Sequence, residues 1–184
     1  MYPISLHLDK QNLAIVGTKA GVKRRLENLQ KAYPDIKPQL FEDSLPNFWQ
    51  IRKLSCLMIV DTSDEVGIKL YRKAKKYNIL VNFEDHPDYC DFYFCSFFKR
   101  GDLGLSISTN GKSPALGVTL RKKLEELLPE KWSDRLEEVS KKRMAWKAEG
   151  NRLGEVNKLS KQYIAEQNWL EELDIKQKKK WYQR

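Results

Sequence analysis

The chain is poor in the residues that build covalent and metal-based frameworks. Its three cysteines, Cys56, Cys90 and Cys95, are an odd number without a Cys-x-x-Cys pair. That argues against a disulfide scaffold and fits a reducing, cytoplasmic setting. Histidine occurs only twice, at His7 and His86. No apolar run approaches the roughly 18 residues a membrane span needs. The start, Met1-Tyr2-Pro3-Ile4, has no basic region followed by an apolar stretch, so no secretory signal is expected. There is no internal repeat. The interleaved aromatic and basic residues of single-strand nucleic-acid binders are missing, and so is any recognisable nucleic-acid module.

What is present is a core and a charge. Apolar residues make up 41% of the 184, enough for a folded core, and the net charge is +9 with a pI near 9.4. A basic balance points to an anionic partner such as nucleic acid, a membrane surface or a polyanionic small molecule, with plain solubility as the alternative. The length allows one ordinary domain plus an appendage.

The apolar pattern is that of an α/β chain. Leu13–Val16 is a short apolar run ending at Gly17, followed by helical spacing with Leu26 and Leu29 on one face and Lys23, Arg24, Arg25 and Lys31 on the others. A second strand is expected over Gln39–Phe41, a short helix over Pro46–Ile51, a buried strand with Cys56 in its core over Cys56–Val60, a lysine-rich helix over Glu65–Tyr77 and a further strand over Ile79–Asn82. Strands alternating with helices predict a parallel sheet with right-handed crossovers. The pattern then changes. Asp91–Phe98 and Leu103–Ser108 flank Lys99-Arg-Gly-Asp102, a hairpin signature with glycine in the turn. Ser113-Pro114 starts a helix, with serine as N-cap and proline at the first helical position, and that helix is expected to stop before Pro129. From Lys131 the chain is helix-forming and highly charged. Leu136 and Val139, then Leu153, Val156, Leu159 and Tyr163, make stripes, with Trp132, Trp146 and Trp169 among polar neighbours. Lys176–Lys180 is a basic end, read as a solvated tail.

Two places carry possible chemistry. The first is Gly17-Thr18-Lys19-Ala20-Gly21, between a strand and a helix. There, backbone N–H groups can meet a pyrophosphate and glycines permit its close approach. The fingerprint asks for glycine where this chain has Lys19, whose side chain is expected to crowd a dinucleotide or to pair with a phosphate. Glu42 and Asp43 follow the second strand, where a ribose-binding acid would stand. The second place is Asn82-Phe-Glu84-Asp85-His86-Pro-Asp88, after a parallel strand, where ligands bind in open α/β sheets. A carboxylate here can act as a general base in a dehydrogenation, or take pyrrole protons as a metal enters. Asp85, His86 and Asp88 are residue types that hold metals, but their spacing fits no standard motif and no metal site is assigned. An Asp/Pro-rich turn without chemistry is the plain alternative.

The order of these motifs is more specific than any one of them. Tyr2-Pro-Ile4, Val16-Gly17, Asn82-x-x-Asp85, the aromatic hairpin with Arg100-Gly101, and Ile107-Ser-Thr-Asn-Gly-Lys-Ser-Pro-Ala-Leu116 together resemble the precorrin-2 dehydrogenase/sirohydrochlorin ferrochelatase family, the N-terminal module of siroheme synthase. The resemblance covers roughly residues 1 to 128. It implies a Rossmann-like NAD-type domain over 1–112 that includes the hairpin at 91–108, and a helical dimerisation domain over 113–184, assembled as a homodimer. It also implies NAD-dependent oxidation of precorrin-2 to sirohydrochlorin, in some members followed by insertion of Fe²⁺ or Co²⁺. Asp85 maps onto the family's catalytic aspartate. Gly17, Thr18, Lys19, Glu42, Asp43, Asp61 and Thr62 map onto the cofactor side. Asn82, His86, Ser108, Thr109, Asn110, Gly111 and Ser113 map onto the substrate side. The departures fall mainly on the cofactor side: Gly17-Thr-Lys stands for Gly-Gly-Gly, and Val60-Asp-Thr62 for Ala-Thr-Asp. They lead to an expectation that NAD binds weakly or not at all. Two other readings stay open: a sirohydrochlorin chelatase or tetrapyrrole binder without NAD, and a basic adaptor.

Overall fold

The computed structural model describes residues 4–173. Four parallel strands form one sheet: β1 (Leu13–Gly17), β2 (Gln39–Glu42), β3 (Cys56–Val60) and β4 (Leu80–Phe83), in the order β2-β1-β3-β4. β1 and β3 are buried along their whole length, as expected of central strands covered on both faces, and their sequences are correspondingly unbroken apolar runs. Helix α1 (Lys19–Gln30) covers one face, where Val22 and Leu29 pack with Ile15, Cys56, Met58 and Val60. Helices α2 (Phe48–Arg52) and α3 (Asp64–Lys75) cover the other, where Ile51, Leu70 and Ala74 meet Val16, Leu57, Ile59 and Phe83. Each fully buried Val, Leu, Ile, Met or Phe among them contributes about 1.5–3 kcal/mol before the entropy of ordering is subtracted. α2 is held in place at its start by Asn47, whose Oδ1 accepts from the Trp49 and Gln50 amides while the Gln50 side chain accepts from the Asn47 amide.

The chain divides between Phe94 and Cys95 into two compact units. The hairpin therefore groups with the helices rather than with the sheet. It consists of β5 (Ser96–Arg100) and β6 (Leu103–Ile107), with Arg100 opposite Leu103. Gly101 in its turn has φ +57°, a backbone conformation that favours glycine, and a Cβ there would push the Ser133 hydroxyl, 2.2 Å away, into another rotamer. The first hairpin strand starts five residues later than expected. Residues 91–95 are engaged elsewhere: the Asp91 amide donates to the Val81 carbonyl at 2.7 Å, and its carboxylate accepts from the Val81 amide at 2.9 Å.

Ser113 caps helix α4 (Pro114–Leu127) by accepting from the Leu116 amide. Arg100 closes the far end of α4, its guanidinium donating to the carbonyls of Leu128 and Glu125 at 2.8 and 3.1 Å. α5 (Lys131–Ala148) and α6 (Leu153–Glu166) pack around buried Val156, and Arg143 donates to both Asn157 and Ser160. Leu153, expected on the buried stripe, is 63% exposed, because it opens α6 ahead of the packed turns. The Arg135 guanidinium lies over the rings of Trp132 and Trp169, at 4.8 and 5.2 Å. No described helix is long and apolar enough to cross a membrane. The basic stretch at 176–180 lies outside the described residues.

Candidate active site

Because all four strands run the same way, their carboxyl ends share one edge of the sheet. At the ends of β1, β2 and β3 lies an open cleft of about 290 Å³, lined by Val16, Gly17, Thr18, Asp43, Ser44, Leu45, Asp61, Thr62, Ser63 and Val66. α1 begins at this edge. Thr18 is its N-cap: its hydroxyl accepts from the Gly21 amide at 3.2 Å and its carbonyl from the Val22 amide at 2.9 Å. The amides of Lys19 and Ala20 precede the first intrahelical bond, and the helix dipole adds to their attraction for an anion.

Both glycines of the loop are required by the protein's own packing. A Cβ on Gly17 would fall 1.8 Å from the Val60 carbonyl oxygen, and one on Gly21 would fall 2.6 Å from the Asp61 carboxylate. Gly21 thus supplies the close helix–strand approach that a dinucleotide fold needs, one residue before the fingerprint's last position. Lys19 is exposed and is not among the residues that line the cleft. Of the two acids after β2, Asp43 lines the cleft and is fixed by its amide, which donates to the Gly17 carbonyl at 2.9 Å, whereas Glu42 is exposed and lies outside the lining. Asp61 and Thr62 both line it.

The acidic turn follows β4, the strand next to β3. Its members differ sharply in what they are free to do. Glu84 is fully engaged: Arg25 and Arg24 donate to its two oxygens at 2.6 Å each, and Arg24 also reaches Asp61 at 3.1 Å. Arg25 is only 15% exposed and lies over the Phe94 ring at 4.9 Å. Asn82 is buried, and its amide donates to the Phe92 carbonyl at 3.0 Å. His86 is stacked on Phe83, with its Nδ1 near the Glu84 carbonyl and its Nε2 near Asp64. These surroundings raise its pKa, the Glu84 carbonyl first and Asp64 next, against the opposing effect of burial. Asp88 is exposed in the 3₁₀ turn Pro87–Tyr89. Asp85 is exposed at φ +62°, and among the described residues neither its carboxylate nor that of Asp88 takes a hydrogen bond or an ion pair; Asp85 differs from Asp88 in its left-handed backbone. Asp43, Asp61 and Asp85 thus follow β2, β3 and β4 in turn, each in the left-handed region at φ +48°, +45° and +62°. Among the described residues no three histidine, cysteine or carboxylate groups are placed to share a metal.

In the second unit, residues 108–113 form a pre-shaped turn. The Asn110 amide donates to the Ser108 hydroxyl, the Lys112 amide to the Thr109 carbonyl and the Ser113 amide to the Thr109 hydroxyl. Asn110 and Gly111 are left-handed at φ +53° and +77°. Sequence reasoning missed Ser44, Leu45, Ser63 and Val66 on the cleft wall, and Asp64 beside His86. The strand-end loops of an α/β sheet were the available signal for all of them.

The comparisons with known proteins agree with this geometry. A family model described as NAD(P)-binding matches residues 22–96, and the model of the central domain of sirohaem biosynthesis proteins matches residues 100–127. The chain is 30% identical to a siroheme synthase of Blochmanniella pennsylvanica over 142 residues, covering 69% of this chain and 30% of that protein. It is 34% identical to the siroheme biosynthesis protein met8 of Schizosaccharomyces pombe over 120 residues, covering 50% of this chain and 46% of that one. It therefore spans about a third of the siroheme synthase and about half of met8. The solved structure of SirC, a precorrin-2 dehydrogenase, shares the fold with a TM-score of 0.67 at 17% identity, over 95% of this chain and 94% of that one. The chain belongs to the siroheme-biosynthesis family, whose NAD(P)-binding and central modules it carries in order.

Proposed function

We propose that this chain oxidises precorrin-2 to sirohydrochlorin with NAD, in the cytoplasm and as a homodimer. The observation that carries the reading is the carboxylate of Asp85, without a hydrogen bond or ion pair among the described residues and carried on left-handed backbone after β4, the strand next to β3 in a sheet whose β1, β2 and β3 ends form the cleft. The residues fit the dinucleotide. Gly17, Thr18 and the first amides of α1 would face its pyrophosphate, Asp43 its ribose hydroxyls, and Asp61 and Thr62 the opposite wall. Bound NAD⁺ supplies the hydride acceptor. Asp85 takes the proton released in the same oxidation. Glu84, neutralised by two arginines, stays out of the transfer. Ser108–Gly111 and Ser113 would receive the tetrapyrrole. Asn82 is buried with its amide nitrogen committed to the Phe92 carbonyl, and both ring nitrogens of His86 face acceptors within the chain, so these two stand behind the substrate side rather than on it. A net charge of +9 suits a substrate with eight carboxylates. The homodimer is inferred from Tyr93, Phe94 and Phe97, which are 40–45% exposed and apolar enough to favour a partner.

The free carboxylate of Asp85 also favours a second reading, chelation, in which it takes pyrrole protons while Fe²⁺ or Co²⁺ enters as substrate. An absorbance assay separates the two: precorrin-2 with and without NAD⁺, then sirohydrochlorin with either metal. Asp85→Asn is expected to lower kcat by about 10²–10⁴-fold, the usual worth of a general base. Unchanged turnover in that variant, or no NAD-dependent turnover in the parent chain, would overturn the assignment.

A further inference from the structure

The imidazole of His86 lies flat on Phe83, with ring centroids 3.9 Å apart and planes 15° apart. Each ring nitrogen faces an acceptor. Nδ1 is 2.9 Å from the Glu84 carbonyl oxygen, and Nε2 is 3.1 Å from Oδ1 of Asp64. A carbonyl and an ionised carboxylate accept but do not donate. Both bonds therefore coexist only when both nitrogens carry hydrogen, that is, in the imidazolium form. Asp64 is the first residue of α3, and its neighbours Thr62, Ser63 and Val66 line the cleft.

We propose that His86 and Asp64 form a positioning strap, which ties the turn presenting Asp85 to the start of α3 at the rim of the cleft. Within the turn the His86 amide donates to the Phe83 carbonyl at 3.2 Å, and the Tyr89 amide and the Cys90 thiol donate to the His86 carbonyl at 3.0 and 3.4 Å, but none of these bonds reaches α3. The strap fixes where Asp85 stands relative to the dinucleotide edge, and that catalytic consequence rests on the dehydrogenase reading. The charged and titratable groups around the ring are consistent with a cation. α3 contributes Asp64, and the turn contributes Asp85 and Glu84, the latter already paired with Arg24 and Arg25 of α1. Beyond them, the Tyr89 ring lies 6.4 Å away and the Cys90 thiol donates to the His86 carbonyl. A raised folded-state pKa means that the strap is complete at low pH and is lost as pH rises through the His86 midpoint.

The test uses the full chain and three variants. In Asp64→Asn, the NMR titration midpoint of His86 is expected to fall toward the ordinary value near 6.5, and the His86 amide to exchange with solvent several-fold faster. kcat for precorrin-2 oxidation should fall on the order of tenfold, as expected for a misplaced base. His86→Gln should reproduce the faster exchange and the lower kcat. Glu65→Gln removes the other acid from the first turn of α3, where Glu65 pairs with Lys69, and should leave the His86 midpoint and kcat unchanged. An unchanged His86 midpoint in Asp64→Asn overturns the strap, and so does a lowered midpoint with unchanged exchange. Altered exchange with unchanged kcat overturns its positioning role. If the parent chain does not turn over precorrin-2, the dehydrogenase reading fails, and midpoint and exchange decide the strap on their own.

Discussion

Replacing Gly17 with alanine should damage the sheet before any ligand is considered. The added Cβ would meet the Val60 carbonyl oxygen at 1.8 Å and Val60 Cγ2 at 2.8 Å, and the first of these is backbone on the neighbouring central strand. No rotamer change relieves such a contact. β1 must move away from β3 by well over 1 Å, at the position where Gly17 pairs with Val60 on one side and Glu42 on the other. The carbonyl of Gly17 also accepts from the Asp43 amide, so the shift propagates into the loop that lines the cleft. Overpacking of this kind costs about 1–3 kcal/mol, and each backbone bond strained at the strand end adds about 1 kcal/mol, for a total of roughly 3 kcal/mol. At about 2–4 °C per kcal/mol for a chain of this size, the melting temperature should fall by roughly 6–12 °C. The assay is thermal unfolding followed by far-UV circular dichroism without nucleotide, with Gly154→Ala as control. Gly154 has open space around it in the first turn of α6, so its replacement should be neutral or stabilising by about 0.5 kcal/mol. If Gly17→Ala melts within about 2 °C of the parent chain, the packing argument is wrong and the glycine is there for a ligand alone.

Other expectations follow from the same geometry. Arg25→Ala should cost about 2–3 kcal/mol in urea unfolding, because it uncovers Phe94 and leaves Glu84 short of a cation. Arg24→Ala should cost under about 1 kcal/mol, since the Arg24 side chain is 52% exposed; equal effects would refute the distinction. Burial pushes the Cys56 thiol up to about 12, so at pH 8 it should resist an alkylating reagent in the native chain and react in urea. Native labelling at the rate of an exposed thiol would contradict this. Hydrogen bonds from Arg135 and Lys131 lower the Glu172 carboxyl from 4.5 to about 2. Its stabilising effect is therefore complete above pH 4.5 and is lost as pH falls toward 2. Glu172→Gln should flatten the acid-unfolding curve in that window, and curves of the same slope would show that the pairing contributes nothing.

Much of the first unit was legible because its signals are local. The apolar run at Cys56–Val60 is β3 to the residue, and Ser113-Pro114 starts α4 by capping. What escaped was set by distant partners. Residues 91–95 read as a hairpin strand, but Asp91 is held by Val81 and the Phe92 carbonyl by Asn82, which no local propensity encodes. In the acidic turn the resemblance singled out Asp85, but the residues themselves did not show which acids were engaged. Contacts across about sixty residues, from Arg24 and Arg25 to Glu84, set Glu84 apart from Asp85 and Asp88. Lys19 was read from its place in a fingerprint; that it is exposed at the helix start, outside the cleft lining, depends on the folded loop.

The left-handed backbone after β2, β3 and β4 also limits which replacements are informative. At φ +62°, alanine, glutamate and most other residues at position 85 meet the steric penalty of that region, about 1–2 kcal/mol, while asparagine and glycine largely escape it. A library scored for folding alone should therefore keep Asp, Asn and Gly at 43, 61 and 85, and one scored for turnover should keep only Asp at 85. The gap between the two filters at one position would separate what the backbone demands from what the chemistry demands.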